Sequence, residues 1–194
     1  MALSVEDVLP RRRFTVEDVY EMVRAGILGE DEHVELIDGE LIPMSPQGQS
    51  HALLAGVLAR RLERAFGGRA FVLAHSPLRA GRHHLPEPDL VVYRGAIDFG
   101  RPPEAEEPLL VVEIAQTSRA RDQAKAAVYA QCGVPVYWLI DLPRRAVMVC
   151  ERPSAEGYRS IRLLSEAEAL SLPDCDETWS VAEVLPPPGT PVEE

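Results

Sequence analysis

Residues 109 to 115 read Leu-Leu-Val-Val-Glu-Ile-Ala, an aliphatic run broken by a single acid, Glu113. A strand with apolar residues on both faces has to be covered on both sides, which predicts a central, buried strand in a sheet flanked by helices. A carboxylate in that setting needs a partner or a metal ion, and an isolated Glu in so apolar a strand is unusual. The only lysine of the chain, Lys125, follows shortly afterwards; the other 19 of the 20 basic residues are arginine. Lysine is a compact ammonium whose pKa responds to its surroundings, whereas guanidinium is a broad fork that stays protonated. A lone Lys in an Arg-rich chain is either a chance survivor on the surface or a residue kept for chemistry that Arg cannot perform.

At 194 residues, 46% apolar and 26% charged, the chain suits one domain with an ordinary core. Residues 1–185 are expected to form that domain, with 186–194 as a Pro-rich, disordered or extended tail. The start, Met1-Ala2-Leu3-Ser4-Val5-Glu6-Asp7, lacks the basic and apolar regions of a secretory leader. No apolar run is long enough for a membrane span, so no membrane association is expected. Cys132, Cys150 and Cys175 form neither a zinc pattern nor an evident disulfide framework, which points to a reducing cytoplasm. The formal charge of −11 disfavours passive binding to nucleic acid. It does not exclude a nuclease, because a carboxylate metal site is itself acidic.

Thr15-Val16-Glu17-Asp18 is a capping-box pattern. It predicts a helix to about Arg24 with Val16, Val19, Tyr20 and Val23 on one face. Val34–Ile37, Asp38-Gly39 and Glu40–Ile42 predict a hairpin, since Asp-Gly is a strong two-residue turn signal; Pro43 and Pro46 end it. Residues 50–66 predict a helix with Leu54, Val57, Leu58, Leu62 and Ala65 as its apolar stripe, stopped by Gly67-Gly68. Strands are expected over 70–74, 89–93, 109–115 and 134–140, with an antiparallel extension over 146–151 and 158–164. The loop 94–108 is rich in Pro and Glu. Ser118 is a candidate cap for a helix running to about Cys132, with Gly133 just past its end.

If the strands beginning at Asp89 and ending near Glu113 pair antiparallel, both carboxylates fall at one sheet edge. Two close carboxylates repel, so one is protonated or a cation lies between them. Magnesium suits a few carboxylates, a carbonyl and several waters. Asp122, Lys125 and Tyr129 share one face of the following helix, whose early turns can reach back to that edge. There Lys125 could stabilise developing charge or orient a water. The plainer alternative is a surface ion pair of Asp122 with Lys125.

Several segments together resemble the Uma family of restriction-endonuclease-like proteins, a branch of the PD-(D/E)XK nuclease superfamily. They are Phe14-Thr15-Val16-Glu17-Asp18, Glu35-Leu36-Ile37-Asp38-Gly39-Glu40, Met44-Ser45-Pro46, His51, Pro88-Asp89, Val112-Glu113, Lys125 and Gly133 to Asp141. The resemblance covers roughly residues 14 to 150. It implies an α/β (α+β) fold with a restriction-endonuclease-like core, a mixed central sheet flanked by helices. It implies Asp89 and Glu113 as the metal-binding acids. Lys125 would be a migrated replacement for the signature lysine, because the position two after Glu113 is Ala115. Glu35 would be an additional acid, acting as a ligand or positioning water. His51 could serve as a proton shuttle or phosphate contact, or simply pack the helix. Gln116 lies near this set, and Ser118 suits a helix cap better than a nucleophile.

The expected activity is Mg2+- or Mn2+-dependent hydrolysis of phosphodiester bonds, with DNA as partner and the Ile114 carbonyl completing the metal shell. Backbone contacts are expected from arginines near the second helix and from Arg79 to His84, and a homodimer suits cutting of both strands of a duplex. Two other readings use the same residues: a nuclease fold without catalysis serving as an interaction or regulatory module, and a metal-dependent hydrolase of small phosphate esters.

Overall fold

The computed structural model describes residues 11–29, 31–44, 48–98, 100, 108–116 and 119–190. The expected cap Ser118, the residues Ser45 and Pro46, most of the 94–108 loop, and positions 1–7 lie outside them.

The elements run α1 (Val16–Arg24), β1 (Val34–Ile37), β2 (Glu40–Pro43), α2 (Gln49–Phe66), β3 (Ala70–Ala74), β4 (Leu90–Arg94) and β5 (Pro108–Ala115). They continue with α3 (Arg119–Gln131), β6 (Val136–Asp141), β7 (Ala146–Ser154), β8 (Gly157–Ser165), β9 (Ala169–Ser171), β10 (Thr178–Ser180) and a 3-10 helix, Val181–Val184. A mixed six-stranded sheet in the order β3-β4-β5-β6-β7-β8 forms the centre. β5 and β6 pair in parallel, and α3 is the crossover that parallel neighbours require. The other neighbours are antiparallel.

β5 is buried along its whole length, as its two-sided apolar pattern demands. Leu110, Val112 and Ile114 pack with α2 residues Leu54, Leu58 and Leu62. Val111 and Ala115 face the other way, against Tyr129 and Ala130 of α3 and Tyr137 of β6. Alternation along the strand therefore sends Glu113 to the α3 side.

The capping box of Thr15 with Asp18 forms as expected. The hairpin turns at Asp38 and Gly39, both with positive φ, as a two-residue turn of this kind needs. A side chain at position 39 would also lie 2.5 Å from Arg13 Cβ. The hairpin is a separate two-stranded sheet, fastened by reciprocal backbone bonds between Leu36 and Leu85.

Two expected apolar faces are narrower than their periodicity suggests. α1 buries Val16 and Val19, but Tyr20 is 42% and Val23 54% exposed, because the helix leans on only the small Leu36–Leu85 cluster. Val57 of α2 is likewise 46% exposed. The β9–β10 hairpin was not foreseen; it adds Leu170 and Trp179 to the α2-side core. The segment expected as a tail is tied at its start, where Arg145 Nη1 donates to the Pro186 carbonyl at 3.0 Å.

Leu110 is fully buried at the sheet centre. Leu110→Ala should lower unfolding stability by about 2–5 kcal/mol in urea titration; a loss below about 1 kcal/mol would show that this strand does not anchor the core.

Candidate active site

The antiparallel pairing of β4 with β5 sets Leu90 opposite Val112, so Asp89 reaches the peptide that follows Glu113. The Ile114 N–H donates to Asp89 Oδ2 at 2.7 Å. From the α3 side, Lys125 Nζ donates to Glu113 Oε1 at 2.9 Å and lies 2.6 Å from Glu35 Oε1. One helical turn on, the Tyr129 hydroxyl donates to the same Glu113 oxygen at 2.8 Å. Glu35, on β1, also accepts the Glu87 N–H at 2.8 Å. His51, in the first turn of α2, places Nε2 3.0 Å from the Ile114 carbonyl oxygen and 3.2 Å from Asp89 Oδ2.

The structure thus brings Glu35, His51, Asp89, Glu113, Ile114 and Lys125 to one edge of the sheet. Lys125 is not half of a surface pair with Asp122. Both side chains are buried, and Lys125 takes Glu35 and Glu113 as partners. Gln116 is partly exposed at the end of β5.

His75 was not foreseen from the sequence. It follows β3 with φ of 48°, a conformation uncommon for a side chain other than Gly and often found at functional sites. Its Nδ1 lies 3.8 Å from Asp89 Oδ1. The signal was available: Ala74 pairs with Leu90, so the antiparallel register carried one step further sets His75 beside Asp89.

Glu35, Asp89, Glu113 and Asp122 are each at most 4% exposed, and Lys125 is 5% exposed. Acids outnumber the one ammonium among them. Burial, with the charges of Asp89 and Asp122 adding to it, pushes Glu113 up to about 8 against the pull of Lys125. Burial alone would lower Lys125, but the carboxylates of Glu113 and Glu35 outweigh it and hold the ammonium protonated well above its usual range. Burial chiefly, and then the nearby Glu113 charge, keep the Tyr129 hydroxyl protonated, so it remains a donor. Burial lowers His51, yet Asp89 and the Ile114 carbonyl raise it on balance.

Among the described residues no three His, Cys, Asp or Glu side chains converge on one point as a metal cluster. Glu113 is turned towards Lys125 and Tyr129. Donors that could hold a hard divalent cation are the carboxylates of Asp89 and Glu113 and the Ile114 carbonyl, with water supplying the rest, a set that suits Mg2+. Their fit to a cation is electrostatic: excess buried negative charge raises Glu113, and an added cation relieves it.

Several residues of the basic clusters take acidic partners. Arg11, Arg12 and Arg13 pair with Glu40, Asp18 and Asp38 at 3.0, 3.2 and 2.8 Å. Arg79 pairs with Glu17. His83 Nδ1 lies 2.7 Å from the Phe14 carbonyl oxygen, and His84 Nδ1 accepts the Asp38 N–H at 3.0 Å. These groups knit α1 and the hairpin to the 79–84 segment, in which Arg82 stays exposed. Arg60 and Arg64 stay exposed along α2.

Removing the ammonium would leave two buried carboxylates facing each other. Lys125→Met should therefore cost about 3–5 kcal/mol of stability in denaturant titration; a cost under about 1 kcal/mol would show that the pair is not structural. Glu113 in the folded protein, at about 8, sits above its ordinary 4.5. The folded state thus binds the extra proton, and its stability falls as pH rises from about 4.5 through about 8. Wild type measured against Glu113→Gln should show this decline, and parallel pH profiles for the two proteins would refute the raised value.

The architecture is shared with a crystal structure from Anabaena variabilis ATCC 29413, described as "a putative nuclease belonging to DUF820". The TM-score is 0.69 at 17% identity, over 88% of this chain and 97% of that one. No curated protein matches. The family model Uma2, described as "Putative restriction endonuclease", matches residues 16–184. On that match over most of its length, the chain belongs to the Uma2 family.

Proposed function

We propose that this protein is a metal-dependent endonuclease of the PD-(D/E)XK type that hydrolyses phosphodiester bonds in DNA. The observation that carries the reading is the meeting of Asp89, Glu113 and Lys125 at one sheet edge, with Lys125 Nζ 2.9 Å from Glu113 Oε1, in a chain of this family. Asp89, Glu113 and the Ile114 carbonyl would hold Mg2+ or Mn2+. When bound, the ion lowers the pKa of a water and stabilises charge developing on the phosphate.

The protein's own residues supply the positioning. Lys125 replaces the lysine that the superfamily signature would put at Ala115, and it reaches the same Glu113 from α3. Its ammonium is kept charged and aimed by two carboxylates, ready to position the nucleophile or neutralise the scissile phosphate. Glu35 anchors that ammonium; the Glu87 N–H in turn fixes Glu35. Tyr129 fixes the Glu113 carboxylate, and the Ile114 N–H fixes that of Asp89. Arg60 and Arg64, exposed on α2, are arginines available for backbone contact. A two-fold homodimer suits cutting of a duplex. The cysteines Cys132, Cys150 and Cys175 are free thiols, which fits a reducing cytoplasm. Among the described residues no helix is long and apolar enough to cross a membrane.

Cleavage of plasmid and single-stranded DNA with Mg2+ or Mn2+ tests the reading, with Asp89→Ala and Glu113→Ala proteins prepared identically. Wild type should cut, and each variant should be slower by on the order of a hundredfold or more. Equal cleavage by all three would refute the site, and no cleavage by wild type would refute the activity on these substrates.

A further inference from the structure

We infer that the outer edge of β8 is an interaction surface for a second copy of this chain, which pairs there as an antiparallel strand about a two-fold axis at Ile161. The inference concerns assembly alone and stands apart from the nuclease reading.

β8 is the last strand of the central sheet. One of its backbone edges is bonded to β7; among the described residues the other has no strand beside it. Nor, among those residues, does any backbone bond from outside the β7–β8 ladder reach Tyr158 to Leu164. An open row of N–H and C=O groups is a template for pairing with another chain, and native edges are blunted by shortness, proline, bulges or a covering element. β8 has nine residues, contains no proline and runs along β7 without a register shift.

The strand also carries apolar side chains into solvent. Ile161 is 61% and Leu163 58% exposed. They stand opposite Cys150 and Met148 of β7, which pack on the α3 side of the sheet. Directly opposed residues share a face, so Ile161 and Leu163 both lie on that side. A second strand along this edge would cover them.

Arginines on an edge ordinarily keep it single, and β8 carries Arg159 and Arg162. Their spacing selects one register. Pairing two identical antiparallel strands about an axis at Ile161 sets residue 159 opposite 163 of the copy, 160 opposite 162, and 161 opposite 161. No arginine then faces an arginine. The Arg159 stem covers Leu163 of the copy, and Ile161 meets its own counterpart. On the other face, Arg162 stands beside the small Ser160 of the copy, and Ser160 is opposite Glu151 on β7. Arg162 already pairs with Glu151 of its own chain at 3.2 Å, and this register adds the copy's Glu151 to its row. An axis at Arg162 would oppose the two guanidiniums, which is unfavourable. Axes at Ser160 or Leu163 would set Tyr158 or Leu164 beside Arg162, with Pro153 or Val147 behind and no acid in the row.

Such an axis is normal to the sheet and joins two six-stranded sheets into one. The copy's β5 then runs opposite to β5, so the two candidate sites face opposite ends of the joined sheet. Each copy uses its own site independently, an arrangement different from a paired cut of one duplex.

Sedimentation equilibrium of the full chain over a concentration series tests the surface, beside Ile161→Lys. Wild type should reach the mass of two chains, and Ile161→Lys should stay at half that mass with unchanged unfolding, because position 161 is exposed. Mild oxidation of Ile161→Cys should give a disulfide-linked dimer, since opposed residues of an antiparallel pair have Cα atoms about 4.5–5.5 Å apart. Leu163→Cys should give none, because its counterpart would stand roughly 13 Å along the strand. Wild type oxidised alongside controls for Cys132, Cys150 and Cys175. A wild type that stays a single chain would overturn the inference. So would a dimer that survives Ile161→Lys, or cross-linking through Leu163→Cys in place of Ile161→Cys. None of these readouts uses DNA or a metal ion, so any of those results leaves the nuclease reading standing.

Discussion

The ammonium of Lys125, held between Glu35 and Glu113, ties the separate hairpin to the central sheet and its crossover helix. Glu35 belongs to a two-stranded hairpin outside the central sheet, Glu113 to the most buried strand, and Lys125 to the crossover helix. A buried ion pair is weak evidence of net stability, because desolvation offsets most of its attraction. Its value lies in specificity: once formed, it fixes the hairpin, the strand and the helix relative to one another. Losing one member leaves a buried charge uncompensated, so the arrangement is closer to all-or-none than a packed apolar contact. The same ammonium lies 2.9 Å from Glu113, one of the two acids proposed to hold the ion.

The sheet supplies the rest. An antiparallel neighbour on one side of β5 brings the start of β4, and hence Asp89, to the end of β5. A parallel neighbour on the other side requires a crossover helix, which carries Lys125 and Tyr129 back over Glu113. One strand with two kinds of neighbour therefore collects groups from distant parts of the chain at a single edge. The opposite face of β5 packs on α2, whose first turn contributes His51. The overall acidity of the chain is consistent with this site. Several arginines are held in ion pairs that join α1, the hairpin and the 79–84 segment.

Much of this was legible in the sequence, for identifiable reasons. Glu113 was conspicuous because a lone acid in a two-sided aliphatic strand has few explanations. Asp-Gly specified the hairpin, and paired glycines specified the end of α2. Asp89 and Glu113 could be joined because antiparallel pairing has a fixed geometry. What periodicity could not supply was long-range partnership: helix spacing put Asp122 and Lys125 on one face and suggested that they pair, whereas Lys125 pairs across the fold with Glu35. His75 was overlooked because it lies past the end of a strand, where strand patterning stops. The β9–β10 hairpin has strands of three residues each, too short for alternation to register. The exposure of Tyr20 and Val23 depends on how little of the fold α1 touches, which a helical pattern does not encode.

The central claim is that this sheet edge is a metal-dependent catalytic centre built on Asp89 and Glu113. Anomalous diffraction from crystals of the wild-type protein soaked in Mn2+ tests it most directly. The account predicts an anomalous peak within bonding distance of Asp89, Glu113 and the Ile114 carbonyl. A fully occupied Mn2+ elsewhere, with Glu113 still bound to Lys125 and Tyr129 and no peak at Asp89, would contradict it.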